Sequence, residues 1–157
     1  MWEGNTVGSR LSSSVEHFYS YTAGFLDGDG CITVKIERAK TCRLGFRARV
    51  RVSFTQHRSR RRVLDFLQKK IGSGNVIEYN HNNMAEYVIN NQKVINSLLN
   101  HLEPYVFVKS KHLKLAKKIF VLRKEGYSRR TLNEMLAIAK KVRSFNNYPK
   151  KKLSLTP

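Results

Sequence analysis

Acidic residues are scarce in this sequence. Eleven Asp and Glu stand against 30 Lys and Arg, a formal net charge of +19, and only three of the acids are Asp. This excess of cations favours a polyanionic partner, because phosphates that are neutralised release their counterions. A membrane surface would need the cations on one amphipathic helix, whereas here they are spread along the whole chain. The charge therefore indicates nucleic acid.

Cysteines and long apolar runs are also rare. Cys31 and Cys42 lack metal-binding spacing, which predicts two packing thiols in a reducing compartment. No run approaches the roughly 18 apolar residues of a membrane span, and the start of the chain has no apolar core of a secretory signal, so we expect no membrane partner. The length of 157 residues and the hydrophobic fraction of 41% favour one folded domain. We expect a flexible segment at 1–13, the domain at 14–145 and a basic tail at 146–157, with lysines at 150–152.

The spacing of apolar residues predicts the element order α-β-β-α-β-β-α-α, followed by a terminal helix. The first helix should begin at Ser13 or Ser14, since Ser13 and Glu16 have capping-box spacing. It should be followed by a strand after Gly30, a strand over Phe46–Phe54, a helix over 59–70, strands over 75–80 and 85–90, helices over 92–102 and 110–124, and a last helix capped by Ser128.

The first predicted hairpin has one apolar and one cationic face. Arg47, Arg49 and Arg51 share a face with Lys35, and three guanidinium groups cannot lose their water together in a core. An ordinary solvated sheet face is one interpretation. The other is a β-ribbon in a DNA major groove, where Arg can pair with guanine and Glu37 can accept a hydrogen bond from cytosine.

Two of the three Asp lie one residue apart, in the stretch from Tyr21 to Gly30 that ends the first helix. An acidic pair beside a polyanion suggests a divalent metal ion, although an Asp-Gly turn that ends a helix is the simpler interpretation. A calcium loop would need further acids after Asp29, where Cys31, Thr33 and Lys35 stand. Since positions 27 and 29 project to different sides of a helix, we expect one ligand, while the other Asp caps the helix or pairs with a cation.

Small residues make one flank of this helix nearly free of side chains. Ala23, Gly24 and Gly28 would allow another backbone to approach closely, either in the same chain or in a second copy. Gly24 and Gly28 lie four residues apart on one stripe. Because the sequence contains only one such helix, a partner helix there would belong to a second copy.

Residues 22–30, Thr-Ala-Gly-Phe-Leu-Asp-Gly-Asp-Gly, resemble the motif of the LAGLIDADG homing endonucleases, in particular the single-motif group that forms homodimers. Thr22 replaces the opening Leu and Gly28 the penultimate Ala. The segments 54–56, 71–74 and 102–104 also resemble that group. The resemblance implies an α+β fold, with αββαββα order, an antiparallel saddle-shaped sheet and additional C-terminal helices.

The resemblance also implies roles for individual residues. Asp29 is expected to bind Mg²⁺ beside the Gly28 carbonyl, with two or three divalent ions per dimer, while Gln56 orients water and Lys109 and Arg60 lie near the scissile phosphate. The dimer interface would comprise Ala23, Gly24, Phe25, Asp27 and Gly28. The residues expected to face DNA are Thr33, Lys35, Glu37, Arg47, Arg49, Arg51, Ser53, Ile77, Tyr79, Glu86 and Val88.

The implied activity is Mg²⁺-dependent, site-specific hydrolysis of both strands of a long pseudo-palindromic DNA duplex, leaving 3′ overhangs, without a small-molecule cofactor. Such proteins are typically encoded in introns, often of mitochondria or chloroplasts, which would explain the missing targeting segment. Two alternatives remain: an intron maturase that binds RNA, and a DNA-binding regulator that does not cut. Together, Asp29, Gln56 and Lys109 argue against a maturase, since splicing needs none of them.

Overall fold

The computed structural model describes residues 14–146. The predicted N-terminal segment 1–13, which includes the possible cap Ser13, lies outside the described residues. So does nearly all of the predicted tail, residues 147–157. The described elements are α1 (Val15–Asp29), β1 (Gly30–Arg38), β2 (Phe46–His57), a short 3₁₀ turn (Arg58–Arg60), α2 (Arg61–Ile71), β3 (Asn75–Tyr79), β4 (Met84–Ile89), α3 (Gln92–Leu102), α4 (Ser110–Glu125) and α5 (Arg129–Phe145). This order confirms the predicted α+β fold.

Local sequence explains where α1 begins and ends. Ser14 caps the helix, with its hydroxyl accepting from the His17 N–H at 3.3 Å. At the other end β1 starts directly after Asp29, and the Gly30 N–H still donates to the Leu26 carbonyl. A Cβ at Gly30 would lie 2.6–2.8 Å from atoms of Leu26, so only glycine permits this abrupt join.

The four strands form one antiparallel sheet in the order β1-β2-β4-β3. Its core face carries the apolar residues of the predicted alternation, and Ile32, Val52 and Ile89 lie side by side in the register. Residues of all five helices belong to the same buried cluster as this face, among them Leu26, Leu67, Leu99, Ile119 and Met135. The opposite face is therefore left for the polar side chains.

The two cysteines differ from the prediction in their burial. Neither Cys31 nor Cys42 forms a disulfide, and each is half-buried rather than packed in the core. Cys31 has odd parity in β1 and so points to the polar face, and Cys42 lies in the turn between β1 and β2. No helix in the described part of the chain has both the length and the apolar character that a membrane crossing requires.

Candidate functional site

The end of α1 brings Asp29 and Gln56 together. The Gln56 amide donates to the Asp29 carboxylate, with 2.5 Å between Nε2 and Oδ2, and Asp29 is exposed. Gln56 reaches α1 because it has the same strand parity as Phe54, whose side chain lies in the core, so it projects towards the helices rather than the polar face. The structure thus joins two of the predicted catalytic residues.

The other acid of the motif points elsewhere, as predicted. Asp27 accepts from the backbone N–H groups of Phe107 and Lys109, at 2.8 and 2.9 Å, and its carbonyl accepts from the Lys109 ammonium at 2.8 Å. Lys109 directly precedes α4. Asp27, Asp29, Gln56 and Lys109 therefore meet at one end of α1, although Lys109 is 82 residues from Asp27 in the chain.

Gly28 and Arg60 are two further predicted residues, and both are exposed. Gly28, half of the expected metal site, is exposed between the two Asp. Arg60 is exposed at the end of the 3₁₀ turn that follows β2, four residues beyond Gln56. Oxygen atoms of Asp29 and Gly28 are hard donors that suit Mg²⁺. Within residues 14–146 there is no cluster of three or more His, Cys, Asp or Glu able to hold a metal ion.

All the residues predicted to face DNA share the polar face of the sheet. The register pairs Glu37 with Arg47, Lys35 with Arg49 and Thr33 with Arg51 across β1 and β2. On the other side, Ser53 pairs with Val88 and Ile77 with Glu86. Because paired residues of antiparallel strands project to the same side, this confirms their common orientation.

Two glutamates hold the arginines of this face. Glu37 accepts from Arg47 at 2.8 Å and lies 3.6 Å from Arg49. Glu86 accepts from Arg51 at 3.1 Å through one oxygen and from the Tyr79 hydroxyl at 2.7 Å through the other. The bond to Glu86 raises the pKa of Tyr79, which keeps its hydroxyl a donor. Each acid thus orients at least one arginine. For Glu37 we had predicted only a contact with cytosine.

Exposure differs along the polar face. Ser53 and Val88 point to it but are only 6% and 5% exposed, so the prediction that they contact DNA lacks the free surface it needs. Both lie in central strands, with Cys31 of β1 and Asn75 of β3 as their outer neighbours in the register. Ile77, on the edge strand, is 43% exposed, and the arginine side chains are 34–41% exposed.

Comparison with known proteins gives this geometry a context. The sequence profile described as LAGLIDADG endonuclease matches residues 22–121, from the motif to α4. The chain belongs to this family. It is 31% identical to DNA endonuclease I-CreI of Chlamydomonas reinhardtii over 104 residues, covering 66% of the chain and 63% of that protein. It is also 31% identical to DNA endonuclease I-CvuI of Chlorella vulgaris over 101 residues, covering 64% of the chain and 62% of the relative.

A solved structure supports the assignment. The fold superposes with a TM-score of 0.78 and 26% identity on a crystal structure of I-CvuI in complex with its target in the presence of 2 mM Ca, covering 88% of this chain and 87% of that one. The sequence alignments span less than two thirds of the length of I-CreI and I-CvuI.

The motif helix of this LAGLIDADG chain divides its small residues between two sides. Ala23 is fully buried in the chain's own core, so its prediction as an interface residue was wrong. It lies on the buried stripe with Thr22 and Leu26, about 100° from Gly24 around the helix. Gly24 and Gly28 are exposed, and a Cβ on either would meet no described atom within 4 Å.

Phe25, also predicted at the interface, is half-buried and packs against the core, and Asp27 is bonded to residues 107 and 109 of its own chain. The Phe25 ring stacks on Phe54 at a centroid distance of 5.6 Å and lies 6.3 Å from the ring of Tyr21. Tyr21 is 38% exposed and lies on the same side of the helix as Gly24. Phe25 therefore packs between the core residue Phe54 and the partly exposed Tyr21.

Sequence reasoning missed part of the polar face. A cleft of about 650 Å³ on this face is lined by Cys31 and Thr55 in addition to predicted residues, and by Val142, Arg143 and Asn146 from the end of α5. Strand parity could have identified Cys31 and Thr55. The α5 residues carry no such signal, because the Asn146 amide reaches the Ile32 carbonyl, at 3.0 Å, across 114 residues.

Proposed function

We propose that the protein is a site-specific endonuclease that binds a long pseudo-palindromic DNA duplex as a homodimer and hydrolyses one phosphodiester bond in each strand to leave 3′ overhangs. The observation that carries this proposal is the meeting of Asp29, Gln56 and Lys109 at the end of the motif helix. That helix end lies beside a polar face with three arginines and one lysine. Family membership and the DNA complex of I-CvuI support it.

The residues at the helix end fit a divalent ion. Asp29 and the Gly28 carbonyl would hold Mg²⁺, which tolerates few protein ligands. When bound, the ion would activate a water molecule and stabilise the leaving 3′ oxygen. Gln56, already bonded to Asp29, can orient water beside it. The Lys109 and Arg60 cations can stabilise the negative charge that develops on the phosphate.

A second copy of the chain completes the proposed site. One chain supplies one exposed Asp29, and cutting two strands requires two such sites. The exposed stripe of Tyr21, Gly24 and Gly28 would form the contact between the two motif helices. Phe107 and Val108, which are 87% and 66% exposed, lie beside this stripe because the Phe107 N–H is bonded to Asp27. Adjacent exposed apolar residues are typical of an interface.

A matched pair of variants tests the function. Asp29→Asn should lower the cleavage rate by at least about 1000-fold while DNA affinity is kept, since metal stabilisation is worth several kcal/mol. Asp65→Asn, which makes the same charge change at an exposed ion pair with Arg61, should cleave like the wild type. The substrate is a duplex selected from a randomised palindromic library with Mg²⁺.

The same assay separates the alternatives. A maturase would bind RNA without cutting DNA, and a regulator would bind the duplex and leave it intact. Wild-type protein that cuts no duplex with Mg²⁺, or an Asp29→Asn variant that cuts at the normal rate, would refute the proposed chemistry. We also propose that the gene lies within an intron of an organellar genome, as the family resemblance implies.

A further inference from the structure

Asp27 receives three hydrogen bonds from one short segment of the chain. Its Oδ2 accepts from the Phe107 N–H at 2.8 Å and its Oδ1 from the Lys109 N–H at 2.9 Å. Its backbone carbonyl accepts from the Lys109 ammonium at 2.8 Å. Both carboxylate oxygens and the carbonyl are therefore committed to residues 107–109.

Helix electrostatics favour this arrangement on both sides. A carboxylate at the C-terminal end of α1 is unfavourable, but the same group lies beside the N-terminal end of α4, where negative charge is stabilised. Lys109, the residue at the N-cap of α4, makes no side-chain cap of its own. Its ammonium instead lies at a carbonyl of the last turn of α1. Asp27 and Lys109 thus neutralise the two facing helix ends.

Little else holds the segment on its outer side. Val106 is buried and anchors one end of it, whereas Phe107 and Val108 are mostly exposed. Apolar packing at Val106 and Leu113 anchors the two ends of the segment but does not by itself direct the Lys109 side chain to the end of α1. The bonds to Asp27 do so, because they fix the backbone on both sides of Val108 and the direction of the Lys109 side chain.

We propose that Asp27 is a positioning residue that sets the place of the Lys109 ammonium in the catalytic site. The proposal rests on the endonuclease function proposed above, in which Lys109 lies near the scissile phosphate. Each Asp27 oxygen accepts one backbone donor, which favours positioning over metal binding as the role of this acid. The two acids of the motif therefore act through different partners: Asp29 with Gln56, and Asp27 with Lys109.

Asp27→Asn tests this role with almost no change in size. The amide keeps one acceptor, but its NH₂ group cannot accept the second backbone N–H. At saturating protein we expect the single-turnover cleavage rate to fall at least about tenfold, because a small displacement of a positioned group is costly. DNA affinity should be unchanged, and the amides of residues 107 and 109 should exchange with solvent faster. Asp65→Asn, again the charge-matched control, should change none of these.

The dependence on Lys109 separates positioning from a general structural effect. In a Lys109→Met background, Asp27→Asn should cost no further rate, since the ammonium it positions is gone. Asp27→Glu retains both acceptor oxygens and should recover protected amides and part of the rate. The proposal would be overturned if Asp27→Asn cleaved at the wild-type rate. It would also be overturned if Asp27→Asn lowered the cleavage rate by the same factor in the Lys109→Met background as in the wild type.

Failure of the endonuclease function would look different. The wild-type protein would then cut no selected duplex, whatever residue stands at 27. Amide exchange needs only the folded protein and would still decide whether Asp27 holds the segment: faster exchange at 107 and 109 in Asp27→Asn supports it, and unchanged exchange refutes it. Thermal unfolding of each variant shows that it is folded under the conditions of measurement.

Discussion

Replacing Glu86 by Gln should relax DNA specificity at one base pair in each half-site. The carboxylate of Glu86 accepts from Arg51 at 3.1 Å and from the Tyr79 hydroxyl at 2.7 Å, and its side chain is only 17% exposed. Gln has the same shape but no charge, and its NH₂ group would face one of these two donors. Arg51 would therefore lose the group that keeps it in one orientation.

The expected size follows from the cost of immobilising a long side chain. Because Glu86 is mostly buried and Gln would leave one of its two donors without an acceptor, the free energy of unfolding should fall by about 1–3 kcal/mol. Ordering a flexible side chain on binding costs about 0.5–1.5 kcal/mol, and Glu86 orders Arg51 before DNA arrives. Discrimination at the base pair that Arg51 is predicted to contact should thus fall about 2- to 12-fold. This is less than the loss of a whole Arg–guanine contact, which is worth about 1–3 kcal/mol.

Equilibrium binding to single base-pair variants of a selected duplex measures this, in an Asp29→Asn background that binds without cutting. Glu78→Gln is the matched control, since it makes the same charge change on β3 but its side chain bonds Arg58 and Arg61, each at 2.8 Å, on the opposite side of the sheet. The two variants lose the same charge, so any change in overall DNA affinity should be shared by both. Equal discrimination in the two, or a loss spread over every position, would refute the role of Glu86.

Three further predictions concern assembly and stability. Gly24→Leu should dissociate the dimer by filling the space needed by a second motif helix; an unchanged dimer in sedimentation velocity would refute that contact. Gly74→Ala should lower the unfolding free energy in urea more than Gly126→Ala. Both glycines have positive φ, +92° and +94°, where an alanine costs about 1–2 kcal/mol of backbone strain. Only at 74 would the added Cβ also lie 2.3 Å from a β4 carbonyl, so equal losses of stability would contradict this prediction. Burial lowers the pKa of His112, so the unfolded chain binds protons more readily than the folded chain. The melting temperature should therefore decrease as the pH is lowered from about 6.5. His112→Gln should flatten that slope, and identical pH profiles would exclude His112 as its source.

Local periodicity was sufficient to predict the polar face of the sheet. Strand parity assigned Arg47, Arg49 and Arg51 to one side, and the observed register places Ile77 and Glu86 there too. Strand parity does not show, however, whether a side chain on that face is exposed or covered by its neighbours. Ser53 and Val88 have short side chains and are buried on that face in the two central strands, and which strands are central depends on the strand order, not on either sequence segment.

Contacts between distant segments could not be predicted. The spacing of Asp27 and Asp29 indicated two directions, but the partner of Asp27 is a backbone segment 80 residues away, and backbone donors leave no mark in a sequence. Ala23 was misassigned for a related reason. A small residue fits either an interface or a core. Ala23 lies in the core because it shares the buried side of α1 with Thr22 and Leu26.

The end of α1 gathers groups from both halves of the domain without any help from a second chain. Gln56 comes from the end of β2 and Lys109 from the start of α4, and each is bonded to the motif helix within the monomer. The geometry of each half of the proposed site is therefore set by folding, whereas a second copy would only determine the distance between the two halves. This separates two properties: changes at Gly24 should alter assembly and leave the Asp29–Gln56 and Asp27–Lys109 contacts intact, while changes at Asp27 should alter the contact with Lys109 and leave assembly intact.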